Sequence, residues 1–174
     1  MINGDASLYD KPNFCVIDVE SDGHYRDLSV DLVCMVVKEA SGKTWSYVGD
    51  SMLPPHVADR IRSYDFLIGH NVKFEAGWLQ RCGLDTRKLG FWCTMTCEWL
   101  FRAGLPAGGL SLEDSCARHG LGSKDEWASS LIRRHNIKAS EIPISVLVEY
   151  CKQDVELTYD LYLAQRRKIA NEYV

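Results

Sequence analysis

No stretch of this 174-residue chain is long and apolar enough to span a bilayer. No N-terminal segment has the form of a secretory leader, and no repeat or low-complexity tract interrupts the chain. A strong charge of either sign is also missing. Lys and Arg number 20 against 24 Asp and Glu, for a net −4. That speaks against a basic coat for nucleic acid, but it leaves room for an acidic metal-binding centre beside local basic patches. Zinc-ligand spacing is lacking too. Of seven cysteines (Cys15, Cys34, Cys82, Cys93, Cys97, Cys116 and Cys151) only Cys93 and Cys97 are close, and no Cys/His cluster partners them. An odd, scattered set without a leader points to reduced thiols and a cytoplasmic location.

What is there suits one globular domain: 46% apolar and 25% charged residues over a length that buries a substantial core. Residues 1–12 read as a loose lead-in. Phe14–Glu20 reads as a first strand, Leu32–Val37 as a second, and "TWSYVG" as a short third after the turn Ser41–Thr44. Short links between them imply an antiparallel meander. Pro54–Pro55 opens a helix to about Ser63. "DFLIGHN" is a fourth strand ended by Gly69, and "VKFEAGWLQRCG" a helix stopped by Gly83. "FWCTM" is a fifth strand and "TCEWLFRAG" a helix closed by Gly104. Ser111 with Asp114 resembles a capping box. "KDEWASSLIRRHNI" is less regular, and the segment from "IPISVLVEY" onward is one long helix or two abutting ones. Strands first, then strands alternating with helices, imply a mixed α/β sheet with flanking helices.

The chemistry-bearing residues fall in three segments. The first strand runs from apolar residues into Asp18 and Glu20, which share a strand face. Side-by-side carboxylates repel, so a cation between them or a retained proton is expected. After strand four, "HNVKFE" sets Asn71 and Glu75 four apart, on one face if the helix starts near Asn71. In the last helix "YCKQD" sets Tyr150 and Asp154 four apart. Taken singly, each has an ordinary explanation as a loop acid, cap, surface charge or core ring.

Jointly, the three segments resemble the three motifs of the DEDD superfamily of 3′→5′ exonucleases. The match is to the proofreading domain of family A (polymerase I-like) DNA polymerases, over about residues 13–165. Asp18-x-Glu20 corresponds to the first motif, Asn71 and Glu75 to the second, and Tyr150-x3-Asp154 to the third. Tyr150 places the resemblance in the tyrosine branch; the histidine-branch position is Glu149. Glu75 stands where that family usually has Asp, one methylene shorter.

The resemblance implies a ribonuclease H-like fold: a five-stranded mixed sheet, its first three strands antiparallel and the rest parallel. It also implies a two-metal site using Mg²⁺ or Mn²⁺. Asp18 would bridge the ions, Glu20 and Asp154 would hold one and Glu75 the other, while Tyr150 would orient the attacking water. Asn71, Ser21 and Lys73 are the substrate-contact candidates, and His70 reads as structural. Basic clusters Arg133/Arg134/Lys138 and Arg166/Arg167/Lys168 are further phosphate-contact candidates, the second more a solvated helix end. The expected substrate is a single-stranded DNA 3′ end, trimmed to nucleoside 5′-monophosphates. The protein would act alone or beside a DNA polymerase, with no membrane partner, in a cytoplasm (a host's if the source is a phage). RNA as substrate, in the manner of RNase D-like enzymes, and a non-catalytic polymerase-associated subunit are the alternatives.

Overall fold

In the computed structural model, residues 12–49, 52–103, 109–123 and 137–172 are described. Five strands form one sheet: β1 (Phe14–Ser21), β2 (Leu32–Glu39), β3 (Thr44–Val48), β4 (Phe66–Gly69) and β5 (Gly90–Cys93). Their spatial order is β3-β2-β1-β4-β5. The pairs β1–β2 and β2–β3 are antiparallel, and β1–β4 and β4–β5 are parallel. This is the mixed sheet expected from the sequence. From β1 the chain turns back to build β2 and β3 on one side, then crosses to build β4 and β5 on the other. The order therefore reverses between β1 and β4, and the crevice outside strand carboxyl ends at such a switch point is where α/β sheets place ligands.

The helices are α1 (Pro55–Arg62), α2 (Lys73–Arg81), α3 (Thr94–Phe101), α4 (Leu112–Arg118) and α5 (Ile144–Glu172). Alternation along β1 divides the core. Cys15, Ile17 and Val19 face Val57 and Ile61 of α1 and Trp78 and Leu79 of α2. Phe14 and Val16 face the other way, against Cys151, Val155 and Tyr162 of α5. Helix α5 is a single helix of 29 residues. Its buried stripe runs Leu147, Cys151, Asp154/Val155, Thr158, Leu161/Tyr162 and Gln165, the spacing of one helical face. An acid thus lies in a seam that is otherwise apolar or neutral.

Some boundaries shift from the sequence reading. The fifth strand ends at Cys93 and α3 begins at Thr94, so Thr94 and Met95 are helical. Helix α3 ends at Phe101, and Ala103 already takes a left-handed φ of 52°; Gly104 lies outside the described residues. Helix α2 begins at Lys73 with Val72 as its cap, close to the expected start, but Asn71 just before it has a φ of 72° and stands outside the helix. Asn71 is one of the residue types that tolerate this region. The Ser111 cap is present: its hydroxyl accepts from the Asp114 N–H at 3.1 Å and donates to Asp114 Oδ2 at 2.7 Å. Residues 124–136, including Arg133 and Arg134, and most of the N-terminal lead-in lie outside the described residues.

Candidate functional site

The alternation that sends Phe14 and Val16 toward α5 sends Asp18 and Glu20 the same way. Beyond the last β1–β4 pair, Val16 with Ile68, the parallel ladder stops, so the acids emerge at its carboxyl end. The β1–β2 register shifts between Glu20 and Ser21, a bulge that ends regular pairing beside the acids. Opposite them on α5 lie Cys151 and Asp154. The Cys151 thiol donates to Asp18 Oδ2 at 2.9 Å and also lies 3.4 Å from the Asp18 carbonyl. Ligand atoms of Asp18, Glu20 and Cys151 all fall within 4.8 Å of one another.

Glu75 comes from the other side of the sheet. It is buried on the first turn of α2, 3% exposed, and its Oε2 has no hydrogen-bond partner. Gly69, the last residue of β4, makes the space: a Cβ there would stand 3.3 Å from Glu75 Oε2 and 3.1 Å from Val72 Cγ2. The charges of Asp154, Glu20 and Glu75 all bear on Asp18, so four carboxylates from three elements converge.

Electrostatics follow from that crowding. Burial, then repulsion from Asp154, Glu20 and Glu75, pushes the Asp18 carboxyl well above the ordinary carboxylate range, against a smaller opposing pull from the Cys151 thiol. Burial also pushes Glu75 up, to about 8; Cys93 and Glu20 add to the rise and a backbone hydrogen bond opposes it. Asp18 and Glu20 beside each other, with the charges of Asp154 and Glu75 bearing on Asp18, are a poor arrangement for stability alone. A divalent cation would relieve the repulsion, and an all-oxygen set with a buried, unpartnered Glu75 Oε2 fits one.

Three ties fix these elements relative to one another. Arg81, at the end of α2, donates to the carbonyls of Tyr25, Asp27 and Val30 in the loop after β1. The Tyr25 ring packs on Gly77, where a Cβ would come within 2.4 Å of it. Asp22 accepts from the Ser140 N–H at 2.8 Å and its hydroxyl at 2.7 Å, binding the end of β1 to the turn Ala139–Glu141 just before α5. The segment carrying Asp18 and Glu20 is thereby tied to the two helices that carry Glu75 and Asp154.

The other sequence candidates are placed as follows. Tyr150 is half-buried on α5, one turn before Asp154. Asn71 sits in the β4–α2 turn, in a left-handed conformation outside the helix, with a buried Oδ1 that has no hydrogen-bond partner. Ser21 ends β1 and its hydroxyl donates to the Gly23 carbonyl at 2.8 Å. Lys73 is exposed at the start of α2. His70 is braced by Thr94 Oγ1 at 2.9 Å, and its Nε2–H donates to the Leu110 carbonyl at 2.8 Å. On α5, Arg166 stands over the Tyr162 ring of the same helix and Lys168 over the Phe101 ring of α3.

The sequence reading passed over Cys151. Its signal was available: it follows Tyr150 directly and precedes Asp154 by three, on the same helical face. Cys93 was also undervalued. Burial pushes its thiol up, but donors from Thr96 and from the Val72 and Asn71 backbone outweigh that and hold it below the ordinary thiol value.

No family model and no curated protein matches the sequence. Solved structures do. An apo form of a nuclease superposes with a TM-score of 0.70 at 17% identity, covering 99% of this chain and 79% of that one. NrnC of Brucella melitensis, with bound Mg²⁺, gives 0.68 at 16% identity, covering 93% and 76%. The family B DNA polymerase of Pyrobaculum calidifontis gives 0.63 at 15% identity; the match covers 92% of this chain but only 25% of the polymerase. The fold is ribonuclease H-like. At these identities the likeness concerns the fold, and the chemistry must be argued from the residues.

Proposed function

We propose that this chain is a metal-dependent 3′→5′ exonuclease of the DEDD type, tyrosine branch. One observation carries the reading: carboxylates from β1, α2 and α5 converge at the carboxyl ends of β1 and β4, with Asp18 and Glu75 held in a state that favours a proton or a cation. The sheet that presents them is shared with nucleases, one of which is described with bound Mg²⁺.

Asp18, Glu20, Glu75 and Asp154 would hold the cations, Mg²⁺ or Mn²⁺, two per site. When bound, such ions polarise the attacking water and stabilise charge on the leaving 3′ oxygen. Tyr150, one helical turn from Asp154, orients that water through its hydroxyl. Asn71, Ser21 and Lys73 contact the terminal nucleotide and its phosphate. Low sequence specificity is expected, because phosphate contacts position a strand without reading it. Glu75, one methylene longer than the usual Asp, reaches the site from a helix start set back by the Asn71 turn.

The proposed substrate is a single-stranded DNA 3′ end, with nucleoside 5′-monophosphates as products. A second reading has its own support: NrnC is also described bound to pGG, so short oligonucleotides are a competing substrate class. A polymerase partner is a further proposal, since this chain corresponds to a quarter of the matched polymerase. The test is a time course with 5′-labelled DNA, its RNA counterpart and pGG, in Mg²⁺ or Mn²⁺, with Asp18→Ala alongside. A ladder shortening from the DNA 3′ end, absent in the variant, is expected. Cleavage of RNA or pGG alone moves the substrate to the oligonucleotide class. No metal-dependent cleavage of any of them removes the exonuclease reading.

A further inference from the structure

The metal ligands proposed above are all oxygens, which suit Mg²⁺. The chain nevertheless places sulfur among them. Cys151 is fully buried, and its Sγ lies 2.9 Å from Asp18 Oδ2 and inside the same 4.8 Å group as a Glu20 oxygen. A second thiol stands behind it. Cys34 pairs directly with Glu20 across β1–β2, so both side chains point to the α5 face, and the Cys34 and Cys151 side chains are hydrogen-bonded. Packing alone does not require sulfur here. A small apolar residue would fill the α5 seam without putting a thiol against a carboxylate.

We propose that Asp18, Glu20 and Cys151 form a site for a thiophilic divalent cation of the zinc class, which displaces Mg²⁺ and arrests the reaction. Zinc bonds to sulfur at about 2.3 Å and to carboxylate oxygen at about 2.0–2.2 Å, so neighbouring ligand atoms around a tetrahedral ion stand roughly 3.5 Å apart. The present spread, from 2.9 Å to within 4.8 Å, brackets that value. Binding needs the Cys151–Asp18 pair to open by about half an ångström and the wider pairs to close. The cation replaces the thiol proton, which leaves to solvent, and takes Cys151 as thiolate. Glu75 Oε2 is buried and without a hydrogen-bond partner, and its charge bears on Asp18, so a cation beside Asp18 would relieve it as well. Thiolate ligands favour zinc-class ions, whereas Mg²⁺ selects oxygen. The same pocket would therefore admit Mg²⁺ through oxygen and hold a softer ion through oxygen plus sulfur.

The arrest of cleavage rests on the exonuclease reading; the binding itself does not. The direct test is a Cd²⁺ titration of the metal-free full chain, read by the ultraviolet charge-transfer absorption of a cadmium–thiolate bond. We expect a band that saturates at one ion per chain, is displaced by Zn²⁺, and is retained in Cys93→Ala. It should vanish in Cys151→Ala and weaken about tenfold or more in Asp18→Asn, since even partners of metal ligands cost that much in affinity. An unchanged band in Cys151→Ala, no saturable band at all, or loss of the band in Cys93→Ala overturns the site. Should Cys151→Ala fail to fold, Asp18→Asn decides, and unchanged affinity there also overturns it. A second arm measures Zn²⁺ inhibition of Mg²⁺-supported cleavage, each variant against its own zinc-free rate. Cys151→Ser should need about tenfold more Zn²⁺, and an unchanged requirement refutes the arrest. Failure of the absorption arm with cleavage intact removes this site alone. Absence of cleavage with the band intact removes the exonuclease reading and leaves the site standing.

Discussion

Replacing Glu75 by Gln should make the metal-free protein more stable and the enzyme nearly inactive. The carboxyl is 3% exposed, its Oε2 has no hydrogen-bond partner, and burial with the charges of Cys93 and Glu20 pushes it to about 8 from an ordinary 4.5. A folded-state value above the unfolded one means that the native chain binds more protons between those pH values. Stability therefore falls as pH rises through the window from 4.5 to about 8, and the loss is complete above it. At ~1.4 kcal/mol per pH unit the ceiling of that loss is about 5 kcal/mol; water entry and relaxation should leave roughly 2–4. Gln is neutral throughout and escapes the penalty.

Thermal unfolding in EDTA, from pH 4 to 9, is the assay. Wild type and Glu75→Gln should nearly coincide near pH 4 and separate above it. For a domain of this size the gap near pH 9 should be about 4–16 °C in Tm, the variant being higher. Mg²⁺ or Mn²⁺ should raise the wild-type Tm at high pH and do less for the variant. Cleavage should fall about a hundredfold or more, because a direct ligand matters at least as much as the groups that orient it. A variant less stable at every pH would refute the reasoning: Glu75 would then be a structural acid satisfied by its surroundings. A pH-independent gap would mean that the group is not the one titrating.

Asp154→Asn should abolish metal-dependent cleavage with an unchanged far-ultraviolet circular dichroism spectrum; retained activity would remove Asp154 from the metal set. Gly69→Ala puts a Cβ 3.3 Å from Glu75 Oε2, so metal affinity should drop about 10–100-fold by titration while the strand holds. Gly77→Ala drives a Cβ to 2.4 Å from the Tyr25 ring and should cost about 1–3 kcal/mol in urea unfolding. Asp22→Ala removes two hydrogen bonds to Ser140 and should cost about 1–3 kcal/mol, lowering the cleavage rate further than stability alone explains because β1 and α5 lose their tie.

How far the sequence could be read depends on which interactions are local. β1 was visible because a buried strand with period-two alternation shows its faces directly: Phe14 and Val16 one way, Cys15 and Ile17 the other, so Asp18 and Glu20 were bound to follow Phe14. The turn before α2 was not, because a left-handed residue carries no periodicity. Helical spacing groups Asn71 with Glu75, but Asn71 lies before α2 in a left-handed turn. The room for Glu75 Oε2 depends on Gly69 lacking a side chain, a contact between the end of β4 and α2 that no periodicity announces.

Cys151 illustrates the other kind of limit. A cysteine in an apolar helical stripe is ordinary core, and its spacing from Asp154 said only that both share a face. What changes its meaning is the β1–α5 packing, which lays that face over a strand whose row has changed from apolar to acidic. The polar members of the stripe repeat the lesson further along. Gln165 is fully buried, accepts from Trp92 Nε1 at 3.1 Å, and donates to the Thr94 carbonyl and to Glu98 Oε1, each at 2.9 Å. Glu98 in turn pairs with Arg118 and His119. The buried Gln165 amide on α5 is satisfied by one neutral donor and two acceptors, and it is structural. Asp154, a buried acid on the same helix, sets its charge against Asp18, and carboxylates perturbed in this way are candidates for a functional site. That contrast between Gln165 and Asp154, on one helix, separates candidate site from scaffold in this protein.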